Sequence, residues 1–171
     1  MNRQRWQAMG LILGILALDR ATKIWIERNV GLWDTLPVIP DVFNIVHTKN
    51  RGAAFGFLND APSGWRMLFL VVVSVVILGV IGQMLWQATR EKATPVLRLA
   101  LALVFGGAVG NLYDRALAGQ VTDFLQVFLG SYEWPSFNVA DSAICCGAVL
   151  LALDMMRPAA QSAKLEQVRK S

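Results

Sequence analysis

The chain has 171 residues and a mass of 18.8 kDa, about the length of one domain. Hydrophobic residues make up 55% of it and charged residues 16%, and the mean hydropathy of +0.46 excludes an ordinary water-soluble globule. The only two cysteines, Cys145 and Cys146, are adjacent, which excludes a disulfide framework and a metal site of spaced thiolates. Its net charge of +4 needs a positional explanation before nucleic acid is considered as a partner.

Four apolar segments, at about 6–26, 67–86, 96–113 and 138–156, are each long enough to cross a bilayer once as a helix. The clearest is 67–86, which contains no charged residue. The first follows Arg3 and Arg5 like a secretory signal, but no small-x-small cleavage site comes after it, so we expect it to be retained. We predict a mainly α membrane protein with four transmembrane helices in a single domain, 1–171.

Lysine and arginine flank these segments unevenly. They occur before the first, between the second and third, and after the fourth: Arg3, Arg5, Arg90, Lys92, Arg98, Arg157, Lys164, Arg169 and Lys170. The positive-inside rule predicts that both termini, including the tail at 157–171, are cytoplasmic. The loops at about 28–65 and 114–137 are then extracytoplasmic. This asymmetry explains the net charge, and we expect no nucleic-acid partner.

The first outer loop contains a predicted strand at Val42–Val46, bounded by Pro37, Pro40 and Asp41. We therefore expect a small extracytoplasmic β-element between helices 1 and 2. His47 is the only histidine, which excludes a metal site of several histidines. We interpret His47 as a solvated loop residue. Cys145 and Cys146 are interpreted as small packing residues in the fourth segment.

Charged residues inside the first segment are costly in lipid, so their spacing is informative. Asp19 and Lys23 are four residues apart and share a helix face, with Glu27 one turn further on. A structural ion pair explains this pattern by itself. The third segment ends with Gly106 and Gly110, a small-xxx-small step that permits close helix packing, followed by Asn111, Asp114 and Arg115. A pair of Arg115 with Asp114 or Asp123 would also be purely structural.

Two further carboxylates lie near the outer ends of the last two segments. Asp123 has apolar neighbours, and Asp141 falls about one turn inside the fourth segment, on one helix face with Asn138. Asn138 as a helix N-cap, with Asp141 favoured by the helix dipole, is a purely structural alternative. Two carboxylates in proximity can share a proton and activate a water for hydrolysis without a metal or cofactor. Spacing alone does not exclude Asp114 from such a pair.

Two other functional classes fit some of these residues. A small transporter could use Asp19, Asp141 and Asp154 as a proton relay, and a non-catalytic assembly factor could use the polar cluster only to hold helices together. The carboxylates cluster toward one side, which disfavours a relay across the bilayer. Asp154 lies beside Arg157, where simple pairing explains it.

Five motifs in this order closely resemble those of the bacterial lipoprotein signal peptidases, or signal peptidase II, which are intramembrane aspartic peptidases. The motifs are D-x-x-T-K at Asp19–Lys23, N-x-G-A-A-F-G at Asn50–Gly56, G-N-L-x-D-R at Gly110–Arg115, V-x-D-F at Val121–Phe124 and F-N-V-A-D-S at Phe137–Ser142. The resemblance implies that Asp123 and Asp141 are the catalytic pair. It further implies site-lining roles for Asp19, Asn50, Asn111, Arg115 and Asn138, and structural support from Lys23 and Asp114.

The resemblance also implies a substrate and a location. The family cuts prolipoproteins on the N-terminal side of a cysteine that carries a diacylglyceryl group, and it needs no metal or cofactor. Membrane lipid and the cyclic-peptide inhibitor globomycin are the other partners implied. The expected location is the bacterial inner membrane, with the active site on the extracytoplasmic side.

Overall fold

A computed structural model describes residues 3–52, 63–90 and 93–156. This part of the chain is mainly helical with a small antiparallel sheet, as predicted. In chain order the elements are α1 (Arg3–Asn29), β1 (Thr35–Ile39), β2 (Phe43–Asn50), α2 (Ser63–Ala88), α3 (Pro95–Ala118), β3 (Val121–Leu129), β4 (Tyr132–Phe137) and α4 (Val139–Met155). The helices cover the four apolar segments. The tail at 157–171 and part of the first loop lie outside the described residues.

Helix α3 has clear signals at both ends. The hydroxyl of Thr94 caps its start by accepting a 3.0 Å hydrogen bond from the backbone N–H of Leu97, and Pro95 occupies the first turn, where no N–H is needed. Gly119 ends the helix in the left-handed conformation with φ of 66°. These signals fix where α3 ends and therefore where β3 begins.

The sheet has the order β1-β2-β3-β4 with every neighbouring pair antiparallel. The expectation that the β-element lies within the first loop is wrong in extent, because β3 and β4 come from the loop between α3 and α4. The first four residues of β3 are all buried, so this strand lacks the apolar and polar alternation that reveals a half-buried strand. The two-residue turn Gly130-Ser131, with Gly130 at φ of 64°, was an available hairpin signal.

The predicted strand at Val42–Val46 corresponds to the first part of β2, which begins at Phe43 and continues to Asn50. Pro37, taken as a boundary, lies inside β1. Because β1 is an edge strand, a residue without an N–H is tolerated there. The longer β2 places Asn50 beside β3, where the strand pairing joins it to Val121.

Helix α3 contacts all three other helices. A Cβ atom at Gly107 would lie 2.3 Å from the backbone oxygen of Ala140 in α4, so only glycine permits this approach. A Cβ atom at Gly110 would lie 3.0 Å from Oδ2 of Asp19 in α1. A Cβ atom at Gly106, the other half of the predicted small-residue step, would meet Ile15 of α1. These close contacts bring α1 and α4 against the same end of α3.

Two of the described helices, Gly64–Ala88 and Pro95–Ala118, are long and apolar enough to cross a membrane. Most of α2 is uncovered by protein, and large apolar side chains such as Phe69, Val76 and Val80 are half exposed or more. A continuous apolar surface of this kind suits contact with lipid. Helix α1 carries the buried charges of Asp19 and Lys23 and does not meet the same criterion of apolarity.

We expect Gly107→Ala to lower the melting temperature in detergent by several degrees. The new methyl group would meet a backbone oxygen, which no rotamer change can relieve, so α3 and α4 must separate at a cost of about 2 kcal/mol or more. Gly79→Ala is the matched control, since open space surrounds a Cβ atom there and alanine is the better helix former. Equal melting temperatures for the two variants would contradict the close approach.

Candidate active site

Asp123 lies on β3 and is only 2% exposed. Its Oδ1 accepts a 2.7 Å hydrogen bond from the side-chain amide of Asn138, and its Oδ2 accepts one of 3.0 Å from the amide of Asn50. Strand β2 reinforces this position, because the hydroxyl of Thr48 donates to the backbone oxygen of Asp123 at 3.2 Å. The buried carboxylate is thus held by two neutral amide donors.

Asp141 lies in the first turn of α4, where Asn138 is the N-cap. The side-chain oxygen of Asn138 accepts from the N–H of Asp141 at 3.0 Å, and Oδ2 of Asp141 accepts from the N–H of Asn138 at 3.2 Å. This reciprocal pair is a capping box. The predicted role of Asn138 as a helix N-cap is therefore confirmed. That role does not explain why the side-chain amide of Asn138 also donates a hydrogen bond to Asp123.

One residue, Asn138, thus bonds both carboxylates. Burial and, as the second cause, the nearby negative charge of Asp141 raise the pKa of Asp123 from its ordinary value to about 6. The hydrogen bonds from Asn50 and Asn138 oppose this shift without cancelling it. Asp123 can accordingly hold a proton closer to neutral pH than an ordinary aspartate can.

Lys23 is fully buried below this pair and contacts three side chains. Its ammonium group lies 2.6 Å from Oδ2 of Asp114, 2.8 Å from Oδ2 of Asp19 and 3.2 Å from Oδ1 of Asn111. Arg20 also donates to Asp114, at 2.9 Å. The predicted pair of Asp19 and Lys23 is therefore one part of a larger buried network that joins α1 to α3.

Asn111 connects this network to the carboxylate pair. Its side-chain N–H donates to Oδ1 of Asp141 at 2.7 Å, while its oxygen faces Lys23 and, at 3.3 Å, the amide of Asn138. Asp19 is 2% exposed, and its Oδ1 accepts from the backbone N–H of Ala140 at 2.9 Å. That contact makes Asp19 a link between α1 and the first turn of α4.

Asn50 and Arg115 approach the site from another side. The oxygen of the Asn50 side chain accepts from the N–H of Gly52 at 2.9 Å, which turns its amide toward Asp123. Arg115 donates to the backbone oxygen of Gly52 at 3.3 Å. In the described ranges Arg115 forms no ion pair within 4.0 Å, so the suggested pairs with Asp114 or Asp123 are absent there. The rest of this motif, 53–56, lies outside the described residues.

A cavity of about 250 Å³ lies beside Asp141, between α2, α3 and α4. Its polar end is formed by Asn111, Arg115 and Asp141. Its remaining wall is mainly apolar and comes largely from α2, with Leu70, Val73 and Ile77 among its residues. A long apolar chain could lie along this wall while a polar group reaches Asp141.

Two interpretations of individual residues are wrong. His47 is 5% exposed on β2, with Nδ1 2.8 Å from the backbone oxygen of Val30, because the strand continues beyond its predicted end. Cys145 and Cys146 are exposed, since α4 packs through a face of smaller residues that includes Ala143 and Gly147. The contact of Arg115 with Gly52 was not predicted, and no side-chain pattern reveals it, because a backbone oxygen is the acceptor.

The arrangement can perform acid and base chemistry on a bound water. It combines a carboxyl group able to hold a proton, a second carboxylate with amide donors on both oxygens, and an adjoining cavity. Across 3–52, 63–90 and 93–156, no three His, Cys, Asp or Glu side chains converge as a metal-binding group.

Comparison with known proteins identifies the family. The family model for signal peptidase (SPase) II matches residues 11–157. A lipoprotein signal peptidase of Solibacter usitatus is 48% identical over 94% of this chain and 97% of its own length, and one of Geobacter sulfurreducens is 49% identical over 86% and 89%. The in meso structure of a bacterial membrane enzyme superposes with a TM-score of 0.76 at 29% identity, covering 88% of each chain. The chain therefore belongs to the signal peptidase II family, the lipoprotein signal peptidases, which are proteases that process prolipoproteins.

Proposed function

We propose that this chain is an aspartic endopeptidase in which Asp123 and Asp141 activate a water molecule. The observation that carries the proposal is the double contact of Asn138, whose side-chain amide bonds Asp123 while its backbone N–H bonds Asp141. Because both carboxylates bond to this one residue, we infer that they lie close enough to act on one water. Asp114 is excluded from the pair because its two oxygens accept hydrogen bonds from the cations Lys23 and Arg20.

In the proposed reaction Asp141 is the base and Asp123 carries the shared proton. Asp141 removes a proton from water while the water oxygen bonds to the scissile carbonyl carbon. Protonated Asp123 donates a hydrogen bond to the carbonyl oxygen. The C–N bond then breaks, the leaving amine takes a proton from the pair, and the products are a peptide carboxylate and a new amino terminus. The pair regains its single shared proton for the next cycle.

The membrane topology is part of the proposal. All four helices, α1 to α4, cross the bacterial inner membrane as one domain, with both termini and the segment after α4 on the cytoplasmic side. The sheet and the carboxylate pair then lie toward the extracytoplasmic face. The exposed rings of Trp25, Trp33 and Trp65, near the corresponding ends of α1 and α2, suit the headgroup region.

The substrate is a prolipoprotein cut on the N-terminal side of its diacylglyceryl cysteine. The apolar wall from α2 suits an acyl chain, and Asn111 and Arg115 supply donors for the peptide backbone at the polar end. Strand β2 and its neighbours provide a rigid frame beside the extended peptide. Globomycin is proposed as a competitive inhibitor at this cavity.

Asp123→Asn and Asp141→Asn should each lower kcat for a diacylglyceryl-modified precursor by at least roughly 1,000-fold, because neither variant can share the proton and activate water. The rate of processing is measured in detergent from the conversion of the precursor to the shorter product. Asp154→Asn, on the same helix as Asp141 and bonded to Thr94, is the matched control and should keep its rate. Full activity in either site variant would refute the pair, and a loss in Asp154→Asn would favour a proton relay.

The proposed proton on Asp123 also predicts how stability depends on pH. The pKa of Asp123 is about 6 in the folded protein and 3.8 as its ordinary value, so its stabilising contribution is complete below about pH 4. It is lost as the pH rises through 6, amounting at most to about 3 kcal/mol. The melting temperature of the wild type should therefore fall relative to Asp123→Asn between pH 4 and 7. A constant difference across this range would contradict the raised pKa.

A further inference from the structure

The buried ammonium group of Lys23 restricts how Asn111 can be oriented. An ammonium group has three donors and no acceptor, so only the oxygen of an amide can face it favourably. The distance of 3.2 Å from Nζ of Lys23 to the Asn111 side chain therefore identifies the atom there as Oδ1. The amide nitrogen must then point the other way, and it lies 2.7 Å from Oδ1 of Asp141.

The second partner of the Asn111 oxygen is a neutral donor shared with another acceptor. The amide nitrogen of Asn138 lies 3.3 Å from this oxygen and only 2.7 Å from Asp123. Without Lys23 the Asn111 oxygen would keep only this shared neutral donor, so the side chain would be restrained at one end alone. The donor that Asn111 supplies to Asp141 would then lose its fixed position, and so would the proposed base.

Lys23 is itself held firmly. Asp114 and Asp19 accept from it at 2.6 and 2.8 Å, and the lysine side chain is fully buried. A buried ion-pair network of this kind stabilises a protein little compared with apolar packing, because desolvation opposes the attraction. The network instead fixes the direction of the Lys23 ammonium group.

We propose that Lys23 is a positioning residue for catalysis, which sets the orientation of Asn111 and through it the position of Asp141. This inference rests on the proposed function. Lys23 is 0% exposed and cannot contact the peptide, so its effect must pass through the side chains it bonds, and Asn111 is the one of these that also bonds the carboxylate of Asp141. It is thus distinct from a residue that binds the substrate.

The experiment must separate positioning from charge balance. Lys23→Met alone leaves two buried carboxylates short of a cation, so the test variant is Lys23→Met with Asp19→Asn; an asparagine there keeps an oxygen for the N–H of Ala140, and Asp114 keeps Arg20. The matched control is Arg20→Met with Asp114→Asn, which also removes one positive and one negative charge from the network but leaves Lys23 on Asp19 and Asn111. Melting temperature, kcat and KM for the lipid-modified precursor are measured for both.

We expect the Lys23 double variant to fold and to lose roughly 100-fold in kcat with KM little changed, the size of effect that misplacing a catalytic group produces. The control should stay within about threefold of the wild-type kcat. A folded Lys23 double variant with kcat like that of the control would overturn the inference, as would a loss confined to KM. Failure of the carboxylate pair itself would instead appear as activity in Asp123→Asn or Asp141→Asn.

Discussion

Two acidic side chains lie near each other in a protein interior, and neutral amides keep them there. Asn138, Asn111 and Asn50 donate to their oxygens over 2.7 to 3.2 Å, and no cation bonds either carboxylate directly within the described residues. An arginine or lysine in contact would have stabilised the ionised form and opposed proton sharing. Amides satisfy the buried oxygens while leaving the pKa of Asp123 raised.

Other parts of the fold keep the two carboxylates and their amide donors in place. Gly107 lets α4 approach α3 closely enough for the capping turn at Asn138 to reach β3. Strand β3 begins at Val121, shortly after Gly119 ends α3, so the end of the helix determines where the strand starts. The Lys23 network fixes α1 to α3 beneath the pair, and Asp19 adds a bond to the first turn of α4. The residues that position the site thus come from three helices and two strands.

Much of this could be predicted from the sequence, for identifiable reasons. The four helices follow from long apolar runs, and the polar residues inside them stand out because lipid penalises them. The choice of Asp123 over Asp114 came only from the resemblance, since Asp114, near the end of α3, and Asp123, on the strand after it, both lie shortly before α4. Contacts between distant residues bear on that choice, and the hydrogen bond from Lys23 to Asp114 is one of them.

Other features could not be predicted from the pattern of polar and apolar residues. Strand β3 is covered on both faces where it begins, so its residues do not alternate, and half of the sheet was missed. The burial of His47 depends on how far β2 extends, which its own residues do not specify. The oxygen of Asn111 accepts a hydrogen bond from Lys23, a residue 88 positions away in sequence. Such long-range contacts exist only once the helices have packed.

We expect Asp123 to hold a shared proton because it is buried beside Asp141. Isotope-edited infrared spectroscopy of protein with labelled aspartate carboxyl groups, taken as wild type minus Asp123→Asn, reports the titration of this carboxyl directly. The midpoint should lie near pH 6 in the wild type and move to lower pH in Asp141→Asn, where the neighbouring negative charge is gone. A carboxyl that titrates in the ordinary range and is unaffected by Asp141→Asn would contradict it.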